Sequence, residues 1–121
     1  METGICSEKS YLTDLSPLTR QFGISFPAWI TNEFLACHGE ASEIVSEQPT
    51  WLWDVVWTAR RVLTGLLPCR RESTESAEFY HFELFSFVPG CPEPAFIRCV
   101  VILAGDAAGN PHLTFHLDSP V

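Results

Sequence analysis

Residues 50–66 read TWLWDVVWTARRVLTGL, and this stretch decides how the chain folds. Its apolar residues recur three, four and seven positions apart, which places them along one side of an α-helix; they are Leu52, Val55, Val56, Ala59, Val62, Leu63 and Leu66. Pro68 cannot continue this helix, because proline lacks the backbone donor and its ring clashes with the preceding turn. The spacing therefore predicts a long amphipathic helix whose apolar side packs on another layer of the protein.

Two shorter helices are expected before this one. The first is capped by Asp14 or Ser16, has Pro17 in its first turn and stops at Gly23, the residue type that most often ends a helix. The second is expected between Pro27 and Gly39, because apolar residues recur there at helical spacing: Trp29, Ile30, Phe34 and Cys37. The N-terminal half of the chain is therefore predicted to be helical.

The C-terminal half is predicted to form strands. Residues 70–78 are polar and are expected to be an exposed link, followed by strands at residues 79–88, 96–103 and 112–117. The fold class is α+β, with three N-terminal helices packed on one face of a C-terminal three-stranded antiparallel meander. We expect a single domain over residues 1–121, with residues 1–10 as a flexible leader.

The composition excludes a disordered chain and disfavours nucleic acid as a partner. Of the 121 residues, 46% are apolar and 18% are charged, whereas disordered chains combine low hydrophobicity with high charge. Fifteen acidic residues against seven basic ones give a net charge of −8, which repels phosphate backbones and anionic membranes. Acidic residues concentrate in residues 40–47 and 72–83, whereas Arg60, Arg61 and Arg70 gather near the end of the long helix. This pattern favours a protein partner with a basic surface opposite the acidic segments.

The cysteines and the N-terminal sequence favour a cytoplasmic protein without a metal or other cofactor. The chain has five cysteines, and none of their spacings matches a zinc site. The N-terminal residues are polar and lack the apolar stretch of a signal peptide. No apolar run approaches the roughly 20 residues that a membrane helix needs. We therefore expect a chain with reduced thiols and no membrane span.

Residues 52–57, LWDVVW, resemble the L-W-D-x-x-W motif of an uncharacterised family of short bacterial proteins that are common on plasmids and other mobile elements. Residues 23–27, GISFP, are similar to a second motif of that family, G-F-x-(Y/F)-P, with Ile24 in place of its first aromatic residue. Thr58 likewise replaces the more usual methionine. The resemblance extends over residues 11–118 and implies an accessory protein of mobile DNA, active in plasmid maintenance or in modulating host defence. It implies no catalytic residues.

Four side chains of the long helix are candidate binding residues: Trp53, Asp54, Trp57 and Arg61. The two tryptophans and Arg61 lie four residues apart beside the apolar stripe. In one interpretation the tryptophans widen the buried side and Arg61 covers Trp57 through a cation–π contact. In the other they form a binding surface, since Trp and Arg commonly anchor interfaces. Asp54 is expected to interact favourably with the helix N-terminus.

His81 and Glu83 are the candidate residues of the strand half, because side chains two apart on a strand share a face. A ligand pocket would place them with His116 beside aromatic residues of the sheet, namely Phe79, Phe82, Phe85 and Phe87. The alternative interpretation is that these polar groups form the wet side of the sheet. Motifs of nucleophilic, metal-dependent or phosphate-binding enzymes are absent from the sequence, so catalysis is not expected.

The leading hypothesis is therefore a non-catalytic protein that binds another macromolecule, and the second is a small-molecule-binding domain or enzyme. Homodimer formation is a further option, because residues 96–103 are apolar on both sides of the predicted strand. A second copy would cover the face of the sheet that the helices leave open.

Overall fold

The computed structural model describes residues 12–37, 50–86 and 92–118. The predicted leader at residues 1–10 and the acidic segment at residues 40–47 lie outside these ranges. The described elements, in chain order, are β1 (Leu12–Asp14), α1 (Ser16–Gln21), β2 (Ala28–Thr31), α2 (Asn32–Cys37), α3 (Thr50–Leu63), β3 (Arg70–Ser73), β4 (Ala77–Ser86), β5 (Ala95–Gly105) and β6 (Pro111–Leu117).

The six strands form one mixed sheet in the order β1-β2-β6-β5-β4-β3. Strands β2 and β6 are parallel, and every other neighbouring pair is antiparallel. The chain is thus α+β, but the predicted three-stranded meander is wrong. Strands from the N-terminal half and from the supposed link extend the sheet at both edges.

The predicted helix from Pro27 to Gly39 is wrong in its first part, which forms β2. Ala28 and Ile30 are fully buried whereas Trp29 between them is exposed, so burial alternates with the period of a strand. The strand inserts between β1 and β6. Thr31 Oγ1 then accepts a hydrogen bond from the Phe34 backbone N–H (3.2 Å), which caps the start of α2. Four residues are too few to distinguish the two periods, and pairing with the distant β6 decides the outcome.

The predicted link at residues 70–78 contains β3, an edge strand with all four residues exposed. It pairs with β4 across a turn in which Thr74 N–H donates to the Ala77 carbonyl (2.8 Å). An edge strand needs no apolar face, and charged residues there discourage pairing with other chains. Because β3 contains no apolar residues, the sequence pattern did not indicate a strand there.

The predicted long helix is confirmed over Thr50–Leu63. The stripe packs on one face of the sheet, except for Leu66, which lies beyond the helix and is exposed. The two layers share one core cluster that includes Trp51, Val55 and Val56 from α3 and Val101 and Phe115 from the sheet. Helix α2 joins this layer, because the ring of Phe34 lies 5.8 Å from that of Trp51. Within the described ranges, each helix is too short or too polar to span a lipid bilayer.

Candidate binding surface on helix α3

The side of α3 that faces away from the sheet carries a cluster of three aromatic rings, Phe22, Trp53 and Trp57, which we call the aromatic patch. Trp53 is 41% exposed and Trp57 is 45% exposed. Phe22 follows the last turn of α1, and its ring centroid lies 5.4 Å from that of Trp53 in an edge-to-face arrangement and 6.0 Å from that of Trp57. Each tryptophan is thus held on one side by Phe22 and open to solvent on the other.

Arg60, rather than the predicted Arg61, covers Trp57. The Arg60 guanidinium carbon lies 5.8 Å from the centre of the Trp57 ring, within the range of a cation–π contact. On a helix surface, residues three apart and residues four apart are both neighbours. The spacing alone therefore does not show whether Arg60 or Arg61 contacts Trp57. Arg61 is half-buried.

The loop after α1 leaves room for this arginine. Gly23 has a φ of +82°, a conformation that favours glycine, and a side chain there would begin 3.5 Å from Arg60 Nε. The Arg60 side chain therefore lies between the Gly23 backbone and the Trp57 ring. A short glycine turn positions both Phe22 and the arginine.

Asp54 does not belong to the aromatic patch. Its carboxylate accepts a hydrogen bond from the Ser86 hydroxyl on β4, and Ser86 is buried. The predicted favourable position near the helix N-terminus is wrong, because the first turn of α3 holds no acidic residue. The hydrogen bond between Asp54 and Ser86 instead links α3 to β4.

His81 lies on the face of the sheet opposite α3, where it joins two carboxylates. His81 Nδ1 is 2.9 Å from Asp118 Oδ2, and His81 Nε2 is 2.9 Å from Glu72 Oε1. The imidazole is only 14% exposed. Because Glu72 lies on β3 and Asp118 follows β6, His81 connects the edge strand to the end of the described chain. Arg70 also reaches this group, 3.9 Å from Asp118.

Glu83 shares this face of the sheet with His81, as the spacing of two predicted. Its Oε2 atom is 3.3 Å from Nε of Arg98 on β5, which it opposes in the β4–β5 register. His116 does not join them. Burial lowers the pKa of the His116 imidazole, and the Glu33 carboxylate opposes this shift.

The predicted aromatic pocket wall is wrong in its inclusion of Phe82. Phe82 is buried in the core beneath the helices, whereas Phe85 is 69% exposed. In a strand, residues an odd number apart face opposite sides, so Phe82 cannot share a face with Phe79 or Phe85. Phe87 lies outside the described residues.

A cleft of about 440 Å³ lies beside the end of α3 and the start of β3. Residues that line it include Cys69, Arg70, His81, Glu83, Arg98 and Asp118. Its ionic side chains already contact one another, and Cys69 is half-buried. Within the described ranges, no three His, Cys, Asp or Glu side chains converge to hold a metal ion. The cleft has the size of a ligand pocket, but a polar ligand would have to displace existing ion pairs.

The structure therefore groups the six candidate residues into three places. Trp53 and Trp57 lie on the aromatic patch, Asp54 and Arg61 are on α3 outside its rings, and His81 and Glu83 lie on the opposite face of the sheet. Phe22 and Arg60 were not predicted as site residues from the sequence. The signals were a Phe-Gly step after α1 and the three-residue spacing from Trp57 to Arg60.

Comparison of the chain with protein-family models, curated proteins and solved structures gives no match. The resemblance of residues 52–57 to the plasmid-associated family stays a prediction based on that motif.

Proposed function

We propose that this protein binds another protein through the aromatic patch and acts as a non-catalytic accessory factor of a mobile element. The proposed binding role rests on one observation. Two neighbouring tryptophans on one helix face are each more than 40% exposed, although Phe22 and Arg60 pack against them. The association with mobile elements comes from the motif resemblance alone.

The arrangement suits recognition because little conformational freedom would be lost on binding. Trp53 and Trp57 pack edge-on or tilted against Phe22, and both project from a helix that the core anchors. Tryptophan and arginine are the residue types most enriched among those that dominate binding energy. Rings that are already held in place make an interface less costly to order.

A small-molecule site in the cleft beside β3 is the second candidate function. Its volume of about 440 Å³ and its charged lining favour this alternative. However, His81 contacts two carboxylates and Arg98 contacts Glu83, so these groups are engaged with one another. Among the described residues, the exposed rings of Trp53 and Trp57 have no such partners on their open side, and we therefore favour protein binding.

The test is affinity capture from a bacterial host with quantitative mass spectrometry, comparing the wild type with Trp57→Ala. The matched control is Phe85→Ala, which removes another exposed aromatic ring on the opposite face of the sheet. We expect a protein retained by the wild type and by Phe85→Ala to be lost from Trp57→Ala. Circular dichroism first establishes that both variants are folded. Equal capture by all three proteins would refute the proposed role of the patch.

The cleft is tested separately by ligand-dependent thermal stabilisation of the wild type and of Arg98→Gln. A metabolite that raises the Tm of the wild type but not of Arg98→Gln would favour the second candidate. Mass action links such a shift to binding of the folded state.

A further inference from the structure

We propose that the partner segment that docks on the aromatic patch is acidic, with an apolar side chain over the rings and carboxylates against the surrounding arginines. This inference rests on the proposed function, and it names the chemistry of the partner. It reverses the expectation from net charge, which favoured a basic partner.

The arginines of the described structure divide into two groups. Arg70, Arg71 and Arg98, on the sheet, each have a carboxylate oxygen within 4.0 Å. Three others have no carboxylate that close among the described residues: Arg20, Arg60 and Arg61. Because acidic residues outnumber basic ones by fifteen to seven, carboxylates are plentiful in this chain. The three arginines without a carboxylate partner in the described ranges lie on the helices that carry or adjoin the aromatic rings.

The positions of these arginines frame the patch. Arg60 and Arg61 lie one turn beyond Trp57, and at about 100° per residue they fall on either side of it. Arg20 lies in the last turn of α1, two residues before Phe22. Asp54 is the one acidic residue in α3, and its carboxylate is engaged with Ser86. The surface around the rings therefore carries positive charge that the described residues do not neutralise.

An acidic protein segment fits this local charge better than a nucleic acid does. Guanidinium groups bind carboxylates through charge-assisted hydrogen bonds, and weakly hydrated arginine tolerates a desolvated interface. A nucleic acid presents a dense line of phosphates along its length, which the net charge of −8 repels beyond the patch. A short acidic segment meets only the local arginines. Complementary charge of this kind also accelerates association.

The experiment measures binding of labelled peptides to the full chain by fluorescence anisotropy at low and physiological salt. The probes are a short peptide in which glutamates flank a leucine–tryptophan anchor, the same peptide with lysine in place of glutamate, and oligothymidylate. The protein variants are Arg60→Glu, Arg61→Glu and Trp57→Ala. Arg71→Glu serves as the control, because it changes the net charge by the same amount on the edge strand β3.

We expect the acidic peptide to bind most tightly, with Arg60→Glu and Arg61→Glu each weakening it about five- to tenfold and Arg71→Glu changing it less than about twofold. Equal losses in all three charge variants would mean that only net charge matters and would overturn the inference. Tighter binding of the lysine peptide or of oligothymidylate, or no binding of the acidic peptide in the millimolar range, would also overturn it. Concentration-dependent self-association that Trp57→Ala abolishes would assign the patch to a second copy instead. The proposed function fails independently, if Trp57→Ala captures the same proteins as the wild type.

Discussion

The difference between Trp51 and Trp57 allows a direct test of which tryptophans belong to the core. Trp51 is fully buried and packs on Phe34, whereas Trp57 lies on the aromatic patch with 45% of its surface exposed. The perturbation is replacement of each tryptophan by alanine, one at a time. If the patch is a binding surface, removal of Trp57 should leave most of the folding stability intact.

The expected magnitudes follow from the enclosed area. An aromatic side chain buries about 150–250 Å² in a core, and each Å² is worth about 25 cal/mol. With roughly half of that area enclosed, Trp57 contributes at most about 2–3 kcal/mol, and a compact unfolded state reduces this to about 1–2 kcal/mol. Trp51→Ala also leaves a cavity, so it should cost about 3–5 kcal/mol.

The assay is urea unfolding followed by far-ultraviolet circular dichroism, because tryptophan fluorescence changes with the substitutions themselves. We expect the transition midpoint to fall modestly for Trp57→Ala and severely for Trp51→Ala, with similar m-values. Comparable losses for the two variants would refute the assignment of Trp57 to the surface. The tryptophans would then simply extend the core, and the proposed function would lose its main support.

Three further outcomes are expected from contacts elsewhere in the structure. Ser86→Ala should destabilise the fold by about 1–3 kcal/mol, because it removes the donor to the Asp54 carboxylate; an unchanged urea midpoint would contradict this. Burial lowers the pKa of His116 in the folded state below its unfolded value of about 6.5. The contribution of the neutral imidazole to folding stability is therefore present above a pH of about 6.5 and is lost as the pH falls through the folded pKa. His116→Gln should therefore lose less stability than the wild type on acidification across this range, and parallel pH profiles would refute the idea. Complete burial raises the pKa of the Cys99 thiol well above its usual value, so Cys99 should resist iodoacetamide in the native state and react after unfolding. Alkylation of Cys99 in the native state, detected by peptide mapping, would contradict this.

The elements with long periodic patterns were predictable from sequence, and the short ones were not. Helix α3 was recognised because fourteen residues sample the helical period several times. Strand β2 has four residues, and its neighbour α2 continues directly from it, so apolar residues of both elements mimic one helix. Strand β3 carries no apolar signal because an edge strand outside the core needs none.

The candidate site shows the same division. The aromatic residues of α3 were visible in the sequence, but their exposure depends on where the sheet lies relative to the helix. Phe22 reaches Trp53 and Trp57 only because α1 packs beside α3, a contact between residues some thirty positions apart. Phe82 does not line a common face with Phe79 and Phe85, because strand alternation places Phe82 in the core.

The α+β class, the amphipathic helix with its tryptophans, and the acidity of the chain could all be predicted from the amino-acid sequence. These properties depend on amino-acid composition and on the helical or strand periodicity of residues that are close in sequence. The six-stranded order, the arginine that covers Trp57, and the separation of two groups of arginines became known from the folded structure; among the described residues, the arginines of the sheet contact carboxylates and those around the aromatic patch do not. Each of these depends on contacts between distant segments, because side chains become neighbours through packing of layers and not through their spacing along the chain.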